Sequence, residues 1–493
     1  MHALDHVVIG LYFAATLLVG LRMAGRSTSG DDYFLGARDL PAWAVMLSIV
    51  ATETSALTVV SLPGIGARGD LSFLQLAFGY LAGRMAVAWW LLPGYFQGRQ
   101  QTAYERLQTR FGPLARQGLA VVFLGTRLLA DGVRIFAGAI PLALLTGWDL
   151  AASILAVGGV TLLYTFVGGL RAVVWADALQ LLVYLAGGVA ALWVATALAG
   201  GPATAWAAAA QAGKLVVLDT RLAFDVPYTL AGGLIGGAMM SAASHGSDHI
   251  IVQRLLATRS LGEARWALVG SGLLVILQFA LFLGAGVAIW AAGLAPLGLA
   301  GDQVFSRFVI EQLPAGLAGL VVAAILAAAM STISSSISAL ASSMTHDLYA
   351  AWSGRRDPGH LLRVGRLFSL MWGVALIGAA LGFLALGPQR DTPVVVLALS
   401  VASVTYGALL GALLLAASRL PLAAGEVVAG VALGLVAMLG IVFAGRLQAV
   451  LPWLAPWAGL AFPWYVPLGT ALTLLATLAL HGVRRAWRRR QAA

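Results

Sequence analysis

The chain has 493 residues, of which 60% are hydrophobic and only 10% charged, and its mean hydropathy is +0.90. A soluble domain carries about 25% charged and roughly 45–50% apolar residues, so this composition excludes an ordinary soluble protein, and its low charge excludes a disordered one. The absence of cysteine excludes a disulfide framework and thiolate chemistry, and the net charge of +10 is spread over short loops rather than gathered into a nucleic-acid-binding patch. A polytopic membrane protein remains.

A spanning helix needs about 20 mostly apolar residues. Such runs occur thirteen times, at 4–22, 41–66, 71–97, 118–146, 148–168, 173–199, 228–255, 264–292, 313–345, 361–386, 393–417, 421–444 and 461–483. The first lacks the basic flank and small-residue cleavage site of a signal peptide and is read as a retained helix. The connections are short except for 200–227. With the N-terminus outside, twenty-one basic residues, Arg254 among them, fall on the cytoplasmic side and five fall outside. Arg84, Arg127, Arg134 and Arg307 lie in or at the edges of helices. The excess of positive charge inside, with an odd number of spans, predicts a cytoplasmic C-terminus in a plasma (inner) membrane. Trp453, Trp457, Trp464 and Tyr465 suit an outer aromatic belt.

Charges inside spans are costly, about 2.5–3.5 kcal/mol each on insertion scales, and mark candidate sites. Glu53 lies in a stretch, 48–56, where five of nine residues are Ser, Thr or Glu, followed by Pro63. Hydroxyl side chains compete for backbone bonds and proline removes a donor, so a helix break is expected there, freeing carbonyls to bind a cation. The other reading is a hydroxyl-rich packing face with Glu53 paired to a neighbour. In the ninth span six of the eight residues 331–338 are Ser or Thr, and Ser331, Ser335, Ser338 and Ser342 form one stripe. Such oxygens suit a small hard cation, and they equally let helices pack closely. Asp177 starts the sixth span, either as an anionic ligand or as the partner of Arg171. Arg127, Asp131 and Arg134 share a face of the fourth span. They form either a neutralised triad or a site in which Arg134 grips a substrate carboxylate while Arg127 and Asp131 satisfy each other. His245 and His249 are spaced like a metal pair, but no further cluster completes it.

Four segments, ATETSA…SLPG at 51–64, GGLRAVVWADALQ at 168–180, SDHIIVQRLLA at 247–257 and AAAMSTISSSISALASSMTHDLY at 327–349, together resemble the sodium/solute symporter family over nearly the whole chain. The resemblance implies an all-α, LeuT-type fold of about thirteen transmembrane helices. Its inverted repeats would cover 41–199 and 228–417, with one extra N-terminal helix (4–22) and two C-terminal ones (421–483). The leading helix of each repeat is expected to be interrupted, in the second at Gly232, Gly233, Gly236 and Gly237. Carried over by motif, one Na+ would be held by the carbonyls of Ala51, Thr54 and Ala328 and the hydroxyls of Ser331 and Thr332. A second would sit on Asp177, Ser331, Ser334 and Ser335. Leu57 and Thr58 replace the Glu-Gln of the sugar-carrying branch, and Glu53 stands where the proline branch has an aspartate. His249 replaces a common glutamine.

The expected function is sodium-coupled symport by alternating access of a small carboxylate-bearing or zwitterionic solute. The solute would bind against Thr52, Glu53, Ser55, Ala56 and Arg134. The protein would act as a monomer in the bilayer, without nucleic acid and without enzymatic activity. The alternatives are proton coupling through Glu53 or Asp177, a non-transporting sensor, or an intramembrane enzyme.

Overall fold

The computed structural model describes residues 2–24, 27–98, 100–299, 301–386 and 394–492. Among these residues every regular element is helical, apart from one isolated bridge between Leu40 and Thr258. A bilayer demands this, because a lipid-facing backbone can satisfy its polar groups only inside a helix or a closed barrel. Seven helices are each long and apolar enough to cross a membrane, and a bent pair at 42–68 makes an eighth. The other expected spans also fall on helices, but these are interrupted, short or charged. Trp90, Trp193, Leu277 and Val436 are among the large apolar side chains left on the outside, as lipid contact requires.

Helix α1 (Ala3–Met23) is fastened at its start by Asp5, whose Oδ1 accepts the amide N–H groups of Gly316 (2.7 Å) and Gly319 (2.8 Å). The second expected span divides into α2 (Ala42–Glu53) and α3 (Ala56–Arg68). Thr54 (φ −82°, ψ 110°) and Ser55 (φ −92°, ψ 164°) are extended between them, and the axis turns by 66°. Helix α4 (Leu74–Ala86) runs on through a π turn to Tyr95, and α5 (Pro113–Thr146) carries the charged face.

Helix α6 (Leu150–Leu198) has 49 residues, about 74 Å at 1.5 Å per residue, more than twice a bilayer's hydrocarbon core. Gly169, at φ +54° and ψ −153°, divides it. A Cβ there would lie 2.3 Å from the Tyr33 carbonyl oxygen. The spans expected at 148–168 and 173–199 are thus joined through one glycine rather than a loop.

The seventh expected span breaks, but not where its glycines suggested. Gly232–Gly236 form a π turn that leads directly into α7 (Gly237–Gly246), and the chain opens instead at Ser247–Asp248 before α8 (His249–Leu256). The glycines allow close packing: a Cβ on Gly236 would lie 2.4 Å from the Pro463 carbonyl oxygen, and one on Gly237 would lie 2.7 Å from that of Leu76. Asp248 creates the break by capping α8, its Oδ1 accepting the Ile250 N–H at 3.0 Å.

Helix α9 (Leu261–Ala291) is followed by α10 (Gly301–Gln312), which backs onto α3, and by α11 (Leu317–Ser343), buried almost throughout at the centre of the bundle. Helices α12 (Pro358–Leu386), α13 (Val394–Ala417), α14 (Ala424–Val442) and α15 (Tyr465–Ala492) complete the chain. Lys214 pins the 200–227 connection to the end of α3, its Nζ donating to the carbonyls of Ala67 (2.9 Å) and Gly69 (2.8 Å). Burial holds that ammonium below the ordinary lysine pKa. Trp453 and Trp457 are exposed as a belt requires, whereas Trp464 turns inward onto Phe224, their rings 4.9 Å apart.

Candidate ion and solute site

The two helix breaks face a cavity of about 190 Å³ with aromatic walls that include Phe73, Tyr80 and Phe279. Its polar lining includes Thr52, Glu53, Arg127, Arg134 and His245. Glu53, the last residue of α2, is ion-paired with Arg84, a fully buried side chain that also donates to Ser271 Oγ at 2.7 Å. His245 Nε2 is buried without a hydrogen bond, 3.7 Å from the Glu53 carboxylate.

The α5 triad is split between two tasks. Arg127 clasps the second break: it pairs with Asp248, donates to Tyr406 Oη at 2.6 Å and lies 3.4 Å from Asp131. Asp131 is held more closely by Arg134 (3.1 Å) and by Ser336 Oγ, which donates at 2.6 Å. The Arg134 side chain keeps 19% of its surface exposed and lines the cavity, against 7% for Arg127.

Beside the first break, α11 presents hydroxyls to backbone carbonyls. Ser331 Oγ donates to Ala51 O at 2.8 Å and to Ala328 O at 3.1 Å, and Thr332 Oγ1 donates to Ala328 O at 3.1 Å. Ala51 is in the last turn of α2, where carbonyls lack a helical partner. All of these oxygens are neutral and buried, a donor set that suits a small hard cation.

A second cluster lies around Asp177, and it contains a guanidinium. Arg254, fully buried on α8, donates from Nη2 to Asp177 Oδ2 (3.0 Å) and to Ser335 Oγ, and from Nε to Ser48 Oγ (2.8 Å). Ser48 Oγ donates to the same carboxylate oxygen at 2.6 Å, and Ser334 Oγ lies 3.5 Å from Oδ1. Four core carboxylates and four arginines therefore balance, taking the nearest partner of each: Glu53 with Arg84, Asp131 with Arg134 (and more distantly with Arg127), Asp248 with Arg127 and Asp177 with Arg254.

The profile of the sodium:solute symporter family matches residues 33–418. The chain belongs to that family. It is a sodium-coupled solute transporter with a LeuT-type helical fold, and Na+ is its coupling ion. It is 26% identical over 383 residues to the sodium/sialic acid symporter of Proteus mirabilis (strain HI4320), covering 75% of this chain and 76% of that protein. It is 30% identical over 425 residues to the human sodium/iodide cotransporter, covering 84% of this chain and 65% of that longer protein. Its fold matches a Na+-coupled sialic acid symporter solved in a substrate-bound, outward-open state, with a TM-score of 0.85, 25% identity and 97% coverage of both chains.

Of the residues expected to hold the first ion in this symporter, Ala51, Ala328, Ser331 and Thr332 meet through hydrogen bonds. Thr54 lies at the break, its hydroxyl accepting from Gln278 Nε2 at 2.8 Å. Of the second set, Asp177 and Ser335 meet at Arg254, Ser334 lies 3.5 Å from Asp177 Oδ1, and the Ser331 hydroxyl turns to Ala51 O instead. Arg171, the partner considered for Asp177, bonds the Gly36 carbonyl. Thr52, Glu53 and Arg134 line the cavity, whereas Ser55 and Ala56 are not among its lining residues. Ser55 Oγ lies 3.3 Å from Thr58 Oγ1, and Ala56 is buried against α5 at Gly138. His245 and His249 diverge, the first toward Glu53 and the second to Ser342 Oγ at 3.0 Å. Arg84, His245, Asp248 and Arg254 were not expected in the core. The sequence places Arg84 within or at the edge of a helix but does not single it out as a site residue. The other three lie near the end expected to be cytoplasmic, downstream of the glycines where the interruption was expected; the break falls instead at Ser247–Asp248, with His245 on α7 before it and Arg254 on α8 after it.

Proposed function

We propose that this symporter imports a small carboxylate-bearing solute together with sodium, through two inverted repeats at 41–199 and 228–417, acting as a monomer. The N-terminus lies outside and the C-terminus in the cytoplasm. With Arg254 withdrawn from the loops, the basic-residue bias that supports this orientation becomes twenty to five. The first ion binds at the carbonyls of Ala51, Thr54 and Ala328 and the hydroxyls of Ser331 and Thr332, tying the broken span to α11. The solute binds next to it, against Thr52, Glu53 and Arg134, and its carboxylate is received by the guanidinium of Arg134.

The observation that carries this reading is the one-to-one pairing of core charges. With these four core arginines and four carboxylates in balance, an entering Na+ has no unpaired carboxylate among the described residues around the cavity, and burying an unmatched charge at membrane depth is costly. A solute carboxylate supplies the missing charge. The same pairing argues against a proton carrier at Glu53 or Asp177, since neutralising either would strand a buried arginine. For one sodium ion, a tenfold gradient provides about 1.4 kcal/mol and a 100 mV potential about 2.3 kcal/mol. A zwitterionic solute would draw on both, a monoanion carried with one sodium only on the gradient.

The test is thermal stabilisation of the purified protein in choline, potassium and sodium buffers, followed by sodium with panels of carboxylates, amino acids and neutral sugars. Stabilisation that needs sodium and grows with carboxylates or amino acids supports the reading. A response to sugars alone refutes the role of Arg134.

A further inference from the structure

The cavity lining is of two kinds. On α5, Arg134 commits only Nη1 to Asp131, and its Nε and Nη2 take no hydrogen bond among the described residues. A planar fork with a free edge suits one carboxylate. The rest of the lining is dominated by rings brought together from separate segments: Phe73 and Tyr80 at either end of one stretch of α4 and its cap, Tyr228 after the 200–227 connection, Phe279 on α9 and Phe462 before α15. Phe73 stands edge to face against Tyr228 (ring centroids 5.0 Å apart) and Phe279 (5.4 Å), and Tyr228 stands likewise against Phe462 (6.4 Å). Buried Gln75 fixes the cluster, its Nε2 donating to Tyr228 O at 2.9 Å and its Oε1 accepting the Asp219 N–H at 3.1 Å. Phe73, Tyr228 and Phe462 stay only half-buried, so ring surface is left for the cavity. The cluster offers little to a polyol: three of its five rings are phenylalanines, and Tyr80 spends its hydroxyl on Met240 Sδ at 3.4 Å. Size points the same way. An apolar cavity of about 150 Å³ admits one benzene ring. The 190 Å³ here exceeds that by roughly 40 Å³, somewhat more than the about 30 Å³ of one liquid water, which leaves room for a carboxylate on the ring. An ammonium on the same solute would find Glu53, Asp131, Asp177 and Asp248 already matched to arginines, and would restore the positive charge that the carboxylate offsets.

We propose that the solute is an aromatic monocarboxylate without a charged amine, its ring packed against Phe73, Tyr228, Phe279 and Phe462 and its carboxylate on Arg134. The inference rests on the proposed role of Arg134 and narrows it: the guanidinium selects carboxylates, and the rings choose among them. Different ligands test the two parts.

The experiment is a titration of the thermal stability of the purified full chain, in saturating sodium, with benzoate, phenylacetate, cyclohexanecarboxylate, acetate, phenylalanine, sialic acid and benzyl alcohol. Benzoate or phenylacetate is expected to half-saturate at a concentration at least about tenfold below acetate, phenylalanine and sialic acid, which lack the ring or carry polar groups the cluster cannot meet. Cyclohexanecarboxylate, similar in size but without a ring face, is expected to bind about threefold more weakly than benzoate. Phe279→Leu should narrow the ratio between acetate and benzoate by about threefold or more. A merely structural Phe279 would lower the baseline melting temperature and leave that ratio unchanged, which would overturn its assignment to the solute. Acetate, cyclohexanecarboxylate or sialic acid binding as tightly as both aromatic acids would overturn the proposal and leave the Arg134 reading standing. Phenylalanine binding more tightly than phenylacetate would overturn the exclusion of the amine. The wild-type series decides these points even if Phe279→Leu does not fold. Benzyl alcohol binding as tightly as benzoate would refute the carboxylate on Arg134 instead, with the ring cluster still standing.

Discussion

Replacing Ser331 with alanine separates ion binding from packing. The hydroxyl bridges Ala51 O and Ala328 O, and both Ser331 and Ala51 are fully buried. Its loss leaves Ala51 O without that donor, at a cost of about 1–3 kcal/mol in a site water cannot reach. It also removes one oxygen from a charged ligand, worth about 1.5–3 kcal/mol, or a roughly 10- to 150-fold higher sodium concentration for half-saturation. Two changes are therefore expected in thermal unfolding followed across a sodium series with choline as the balancing cation: a lower melting temperature without sodium, and a sodium midpoint displaced at least tenfold. Ser335→Ala is the contrast. That hydroxyl donates to Ser331 O at 2.5 Å and serves Arg254, so its removal should lower the baseline and leave the midpoint in place. A Ser331→Ala protein whose baseline falls while its sodium midpoint stays within about twofold of wild type would refute the ion-ligand assignment, because packing alone would then account for the serine.

Arg134→Ala should fold and bind sodium yet lose roughly 10- to 150-fold in affinity for the stabilising carboxylate, since Asp131 keeps Ser336 and Arg127 as partners; unchanged solute affinity would show the wrong arginine had been assigned. Arg127→Ala should instead be a folding defect of about 3–5 kcal/mol, read as lost yield or melting temperature, because it strands the buried Asp248. Gly169→Ala should destabilise by more than the roughly 1–2 kcal/mol of its left-handed φ, because the added Cβ meets the Tyr33 carbonyl oxygen; a melting temperature within a degree of wild type would contradict the division of α6 at that residue. Gly286→Ala, whose Cβ would lie 1.9 Å from Pro63 O, should separate α9 from α3 and impair folding, measured as monodisperse yield after extraction.

The apolar runs announced most of the bundle, because in a bilayer hydrophobicity and helix formation go together. The first break was legible as well: a cluster of hydroxyl residues around one glutamate has few other uses inside a span. The second break was not. Glycine permits both an opened backbone and a close helix contact, and sequence cannot distinguish the two; here Gly236 and Gly237 serve contact, and Asp248 opens the chain by capping α8. That misplacement had consequences for charge. With the break placed at the glycines, Arg254 counts as a loop arginine supporting topology, and Asp177 is left to pair with Arg171. Only the fold of α8 back into the core brings Arg254 to Asp177.

The two breaks also divide the labour of the core. At the first, the last carbonyls of α2 are offered to hydroxyls of α11, weak neutral partners that a cation can share or displace. At the second, Asp248 is committed to Arg127 and to its own helix start, a charged contact that cannot be relinquished without stranding a buried ion. On the proposed assignment of the first ion site, one break responds to an ion and the other holds its shape. Arg134 and the cavity lie between them, so an ion bound at the first break, as proposed, would alter the cavity against a fixed wall. Coupling needs this asymmetry: a ligand shifts a conformational equilibrium only by its difference in affinity for the two states. The backbone carbonyl of Ala51 at the first break, met by a neutral hydroxyl, is where that difference can arise.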